Sequence, residues 1–292
     1  MRILFLTRRA HPKIGGVERH VEEVRKVLVR RGHKVTIISE KDIKHPHIKF
    51  FGLLSIWIWL FKHRSLIEKA DVVHCHDVFI WYLPFRFLYL HKKVVTTIHG
   101  MEMDNPLYPV SLWQKRLAVR LSNKSVGVGE FLEKYSGAKF DLITYGGITI
   151  HRYIVIHKER DGVVYVGRLE ENTGLLKFLK WLEKNPGFKV DFCGDGPLRA
   201  ECEKYGVVHG FTDPEPFYKK AEYCVPGGYL AALEALNSGC RLKLFWDTSV
   251  KENYWKLSPF FKLKGAKLSK WVKLQTWESM TSKYLVMYNS KK

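Results

Sequence analysis

Five places in this 292-residue chain combine residue types and spacings that could handle an anion or a proton. Gly15 and Gly16 stand between a short apolar run, Ile3 to Leu6, and a helical pattern that starts at Val17. Glycine lets a backbone come close to a phosphate, and the first turn of a helix offers unbonded N–H groups and the positive end of its dipole. The spacing is not G-x-G-x-x-G, so it carries no nicotinamide fingerprint, and an ordinary strand-to-helix turn would use the same residues. His99-Gly100 closes a second apolar run. A histidine there can give or take a hydrogen bond near neutral pH, or it can be a packed or capping residue. His74, His76 and Asp77 close a third run. Their spacing permits metal ligation, but it is common by chance and no second cluster supports it, so no metal is expected.

The other two places lie further along. Arg168 follows Gly167 at the end of a run of valines and could grip a diphosphate with its planar fork, or pair with Glu170 or Glu171. Pro226-Gly227-Gly228 precedes a strong helical segment, Leu230 to Leu236, whose backbone N–H groups at Gly228, Tyr229 and Leu230 could face an anion. Within it Glu234 sits among Leu233, Ala235 and Leu236. A carboxylate in apolar company needs a partner, either a ribose diol or a structural cation.

The elements that must position these residues follow from hydrophobic period. Val17, Val21, Val24, Val27 and Leu28 fall on one helical stripe closed by Gly32, and Lys34 to Ser39 reads as the next strand. Residues 71–76, 93–100, 125–128 and 142–144 read as further strands. A second series restarts near residue 155, with strands at 162–168 and 188–193, a helix from Leu175 to Lys184, and the tight turn Gly194-Asp195-Gly196-Pro197. Alternating strands and helices predict parallel sheets with helices on both faces. In such sheets ligands bind beyond the carboxyl ends of the strands, where the first four of the five places fall.

Composition narrows the classes. Lys and Arg number 49 against 29 Asp and Glu, a formal charge of +20 that suits nucleic acid, an anionic membrane or a phosphorylated substrate. No compact basic helix, zinc spacing or aromatic RNA-binding motif is present, which ranks a nucleic-acid binder low. Five cysteines without a C-x-x-C pair argue against a disulfide framework and fit a reducing cytoplasm. The first residues hold too short an apolar run for a signal peptide. Residues 50–61 and 78–90 are rich in aromatics and are followed by basic clusters, Lys62-His63-Arg64 and His91-Lys92-Lys93. Neither is long enough to span a bilayer; each could lie in a membrane interface or serve as a core helix.

In their order along the chain, several motifs resemble the large glycosyltransferase family that includes glycogen synthase-like and phosphatidylinositol mannosyltransferase-like enzymes. They are Gly-Gly-Val-Glu at 15–18, Asp71-Val-Val-His74 with His76, Thr97-Ile98-His99-Gly100, and Tyr145-Gly146-Gly147-Ile148. Val164-Tyr-Val-Gly-Arg168, Gly194-Asp-Gly-Pro197, Ala232-Leu-Glu234-Ala-Leu-Asn-Ser-Gly239 and Trp277-Glu278 with Tyr284, Leu285 and Tyr288 complete the set. The resemblance implies an α/β fold of two Rossmann-like domains facing each other across a cleft (GT-B). An N-terminal acceptor domain would cover 1–152, a donor domain 153–275, and a final helix over 276–292 would cross back to the first domain. It implies transfer of a hexose-type sugar, with retention, from a nucleotide sugar that is a co-substrate; no cofactor and no metal are implied. Gly15 and Gly16 would face the donor phosphate, His99 the transferred sugar, Arg168 the leaving diphosphate, and Glu234 the nucleotide ribose. Together with the aromatic and basic N-terminal half, it points to a lipid-linked or membrane-proximal acceptor on a cytoplasmic, peripheral membrane enzyme.

Two departures from the family pattern bear on chemistry. The family places a Lys just before a Gly, where this chain has Thr173 before Gly174, which removes a cation from the diphosphate site. The family's first Glu, eight positions before Glu234, is Pro226 here. A nucleotide-sugar-binding protein with weakened catalysis is the rival expectation.

Overall fold

The computed structural model describes residues 1–10, 15–43, 52–101, 109–150 and 160–290. They form two compact α/β units, each built on a parallel sheet. The first comprises residues 1–101, 107–144 and 277–292; the second comprises 102–106 and 145–276.

The first unit holds six strands: β1 (Arg2–Thr7), β2 (Lys34–Ile38), β3 (Val72–His76), β4 (Lys93–Ile98), β5 (Lys124–Val128) and β6 (Leu142–Thr144). They are ordered β2-β1-β3-β4-β5-β6, with every neighbouring pair parallel. Every residue of β3 and β4 is buried, as strands covered on both faces must be. The period of two sorts their side chains. Leu4, Leu6, Val73, Cys75 and Val94 share one core with Ile56 and Leu60 of the helix Gly52–Lys62, and with Trp81, Tyr82 and Phe85 of the helix Phe79–Leu88. Burying each such large side chain is worth about 1.5–3 kcal/mol. Phe5, His74 and His76 alternate with those positions and pack together, with the Phe5 ring 5.3 Å from that of His74 and 5.0 Å from that of His76. The first helix (Gly16–Arg30) buries Val21, Val24, Val27 and Leu28, the stripe read from its period. The final helix (Trp277–Asn289) belongs to this unit, and its Glu278 pairs with Arg30 of the first helix.

The second unit holds β7 (Val163–Val166), β8 (Val190–Cys193), β9 (Val207–Gly210), β10 (Tyr223–Pro226) and β11 (Arg241–Leu242), ordered β11-β10-β7-β8-β9. Its main core joins Val163, Tyr165, Phe192 and Val225 to Leu175, Phe178, Leu179 and Leu182 of the helix Leu175–Glu183. The change between units falls at Thr144 and Tyr145 instead of near residue 152. The reason is local: Thr144 is the last ladder residue of β6, whereas the Tyr145 ring packs edge-on against Tyr229, Phe260 and Trp271.

The two aromatic stretches form separate helices of different character. In Phe79–Leu88 the bulk of the aromatic surface is core. In Gly52–Lys62 the residues Leu54, Ile58 and Phe61 stay about half exposed. Residues 50 and 51 of the first stretch lie outside the described residues. Among the described residues, no helix is long and apolar enough to cross a membrane. All five cysteines are buried free thiols.

Candidate functional site

In the first unit, the carboxyl ends of β1, β3 and β4 meet the first and final helices at a group of four histidines. His74 is fully buried; its Nδ1 lies 2.7 Å from the Tyr288 hydroxyl and its Nε2 lies 2.8 Å from Thr97 Oγ1. His76 Nδ1 shares a hydrogen bond with His99 Nε2 at 3.0 Å. His20, on the first helix, places Nε2 2.9 Å from the Tyr284 hydroxyl and its ring 4.6 Å from that of His99. The His99 backbone N–H donates to Asp77 Oδ1 at 2.8 Å, and Asp77 holds a left-handed φ of 60°, a conformation that aspartate tolerates better than most residues. His99 therefore stands at the strand end as the sequence suggests, half-buried and oriented by a neighbouring ring.

Burial dominates the electrostatics of this group. It pushes the imidazolium forms of His20 and His76 well below the ordinary histidine range, assisted by repulsion from the other rings, and lowers His74 to about 3. His99 is also lowered by burial, against the opposing pull of Asp77 and Glu18. The rings are neutral at pH 7, each a donor at one nitrogen and an acceptor at the other. His74, His76 and Asp77 do not assemble as ligands, because Thr97, Tyr288 and the His99 N–H occupy His74 and Asp77. A different trio comes together: one nitrogen each from His20, His76 and His99 lie within 4.8 Å of one another, close enough for an ion. An ion there would compete with the hydrogen bond joining His76 to His99.

Gly15 caps the first helix without a side-chain hydrogen bond, and a Cβ on it would overlap the Glu18 carboxylate, which folds back over this end. Gly16 opens on free space. The loop before them, residues 11–14, lies outside the described residues.

In the second unit, β7 and β10 end side by side. Gly167 and Gly227 touch there: a Cβ on either would come within 2.8 or 2.9 Å of the other's Cα. This approach admits only glycine and brings Arg168 beside the start of the helix Tyr229–Asn237. Arg168 is about two-thirds exposed and pairs with Glu170 at 2.7 Å, an exposed ion pair that leaves the guanidinium available. The N–H groups of Leu230 and Ala231 meet no acceptor among the described residues, so this helix end retains donors for an anion.

Two expected residues stand differently from their expected roles. Tyr229 is a core residue: its ring stacks 3.7 Å from Tyr254, and its N–H donates to the Tyr254 hydroxyl at 2.7 Å. That N–H is already satisfied, and a Cβ on the neighbouring Gly228 would come 3.4 Å from the same hydroxyl. Thr173 is buried and turned inward; its hydroxyl donates to the Glu170 carbonyl at 2.6 Å and meets the Tyr165 hydroxyl at 2.9 Å. It reaches no open surface. Glu234 is half-buried, and the Tyr218 hydroxyl donates to its Oε2 at 3.5 Å.

Sequence reasoning missed His20, Asp247 and Lys251. Lys251 is buried, and its ammonium donates to the Gly227 carbonyl at 2.7 Å. Asp247 accepts the Lys177 N–H at 3.0 Å and so caps the helix Leu175–Glu183. A lysine in an amphipathic segment such as Lys251-Glu-Asn-Tyr-Trp reads as solvated, so no local signal marked it. His20 had one: it sits one residue before the apolar stripe position Val21 and shares the buried face.

The profile of Glycosyltransferase Family 4 matches residues 14–140. An uncharacterized glycosyltransferase of Methanocaldococcus jannaschii is 23% identical, covering 82% of this chain and 79% of the relative. Among solved structures, the catalytic domain of starch synthase IV from Arabidopsis thaliana, bound to ADP and acarbose, superposes with a TM-score of 0.65 at 14% identity. That match covers 99% of this chain and 98% of the other. HepE of Anabaena, in complex with UDP, gives a TM-score of 0.65 at 13% identity over 98% and 99%. Both sheets and their order are therefore those of the GT-B fold.

Proposed function

We propose that this chain, a glycosyltransferase with two Rossmann-like domains, moves a hexose-type sugar from a nucleoside diphosphate sugar to an acceptor hydroxyl with retention at the anomeric carbon. The observation that carries the reading is the edge of the second unit where Arg168, the paired glycines 167 and 227, and the open N–H groups of Leu230 and Ala231 converge. Such an edge is complementary to a diphosphate, and it can stabilise the charge that develops as the diphosphate departs. Glu234 is the group to hold the ribose, and His99 the group to meet the sugar. Among the described residues no side chain stands out as a covalent nucleophile, so attack by the acceptor on the face the diphosphate leaves is the favoured course. No metal and no cofactor are required, since Arg168 and the helix end supply the positive potential. UDP and ADP in the structures of similar fold support a nucleotide donor.

The acceptor we propose is lipid-linked, reached at the cytoplasmic face of a membrane. Leu54, Ile58 and Phe61 recur at i, i+4 and i+7, so they form one exposed apolar stripe on the helix Gly52–Lys62, followed by Lys62, His63 and Arg64. An apolar stripe beside cationic residues suits an anionic bilayer surface.

The test is calorimetric titration with uridine, guanosine and adenosine diphosphate sugars, using Arg168→Ala and Glu234→Ala as controls. One donor should bind saturably and both substitutions should weaken it. Failure of every donor to bind the folded wild-type chain would refute the reading. Binding without turnover on any acceptor would favour the rival, a sugar-nucleotide-binding protein that has lost catalysis with the glutamate replaced by Pro226.

A further inference from the structure

Lys251 stands at an unusual place for an ammonium. It is 2% exposed, and among the described residues its only hydrogen-bond acceptor is the Gly227 carbonyl. It lies 4.3 Å from the Tyr254 ring centre and 5.1 Å from that of Trp255, contacts that soften desolvation without neutralising charge. The charged groups that face it are Arg168, which repels it, and Asp247, which attracts it but forms no ion pair with it. Two further polar atoms nearby are buried without partners, Asp247 Oδ2 and Trp255 Nε1. A buried cation set against a second cation, with no bonded carboxylate, is costly unless an anion joins them. Gly227, to which Lys251 is tied, touches Gly167, and Arg168 is the next residue.

We propose that Lys251 is the second cation of the diphosphate site, supplied from the helix Ser249–Lys256 in place of the lysine that the chain lacks at Thr173. Thr173 cannot take that part, because its hydroxyl is closed into contacts with Glu170 and Tyr165. The inference rests on the donor reading above: Arg168 would hold one side of the diphosphate and the Lys251 ammonium the other, beside the open end of the helix Tyr229–Asn237. The ligand class is a nucleoside diphosphate. Lys251 is a binding residue that neutralises the leaving group, and no proton transfer is assigned to it.

The experiment is calorimetry with the best-binding nucleoside diphosphate, compared with the parent nucleoside. Lys251→Met keeps the length of the side chain and removes the charge. It should weaken the diphosphate at least tenfold, leave the nucleoside unchanged, and raise the melting temperature of the ligand-free chain. Unchanged diphosphate affinity, or equal loss for diphosphate and nucleoside, would overturn the inference while leaving the donor reading intact. If the wild type binds no diphosphate, both fall together. A measurement on the wild type alone covers the case of a variant that does not fold. Burial and Arg168 hold the Lys251 ammonium down at about 7, so bound diphosphate should raise it and draw protons from solution at pH 8. Titration in two buffers of different ionisation enthalpy reads that uptake, and its absence overturns the inference.

Discussion

Lowering the pH from 7.5 to 5.5 should selectively loosen the first unit. His20, His74 and His76 are buried as neutral rings, and burial is the leading cause of their lowered values, with His74 at about 3. In the unfolded chain each takes up a proton as the pH falls through about 6.5. The folded state does not follow until far lower pH. The unfolded state therefore binds more protons over the window from about 6.5 down towards 3, and stability present above 6.5 is lost through it. At pH 5.5 each histidine contributes a loss of about 1.4 kcal/mol, so the three together remove about 4 kcal/mol, a large part of a typical domain's stability. Hydrogen exchange read by mass spectrometry separates the two units. Amides of β3 and β4 should lose about 4 kcal/mol of opening free energy. Amides of β7 and β8 serve as the control, since His209 is the only histidine among the described residues of their unit. A fall of less than 1 kcal/mol in β3 and β4, or an equal fall in both units, would refute the reasoning.

Other perturbations probe single contacts. Lys251→Met should stabilise the ligand-free chain at pH 7 by about 2–4 kcal/mol in urea unfolding. The folded ammonium, lowered from 10.5 to about 7, resists protonation that the unfolded chain accepts, so wild-type stability should rise with pH between 7 and 10.5 and the variant's should not. Arg168→Ala should weaken nucleoside diphosphate binding by about 10–100-fold in calorimetry, the worth of a charge-assisted hydrogen bond. Its effect on melting should be slight, because its partner Glu170 lies in an exposed ion pair. Gly227→Ala should cost about 1–3 kcal/mol of stability by urea unfolding, since its methyl would meet Gly167 Cα at 2.9 Å. Changing Leu54, Ile58 and Phe61 together to Ser should reduce sedimentation with anionic vesicles at least 100-fold while leaving nucleotide binding unaltered.

The framework was legible in the residues alone. Apolar alternation and helical stripes are local properties, so β1 to β8, the first helix and the helix Tyr229–Asn237 were legible from a few residues each. Glycine pairs marked the turns at Gly15 and Gly227, because a close backbone approach leaves no other choice. The candidate residues at strand ends followed from the same logic, and His99 and Arg168 stand at strand ends as read. Which polar groups meet was settled by the packing of distant segments. His20 and His74 are brought beside Tyr284 and Tyr288 by the packing of the final helix, across 264 and 214 residues of sequence. Tyr229 reads as a backbone donor to a ligand, but its N–H donates to the Tyr254 hydroxyl instead. Lys251 carries no local signal, and Thr173 reads as a lost charge; folding hid the threonine and set the lysine beside Gly227, 24 positions away. A side chain's period says which face it occupies, whereas its charge state and partner depend on burial by segments that no local pattern connects.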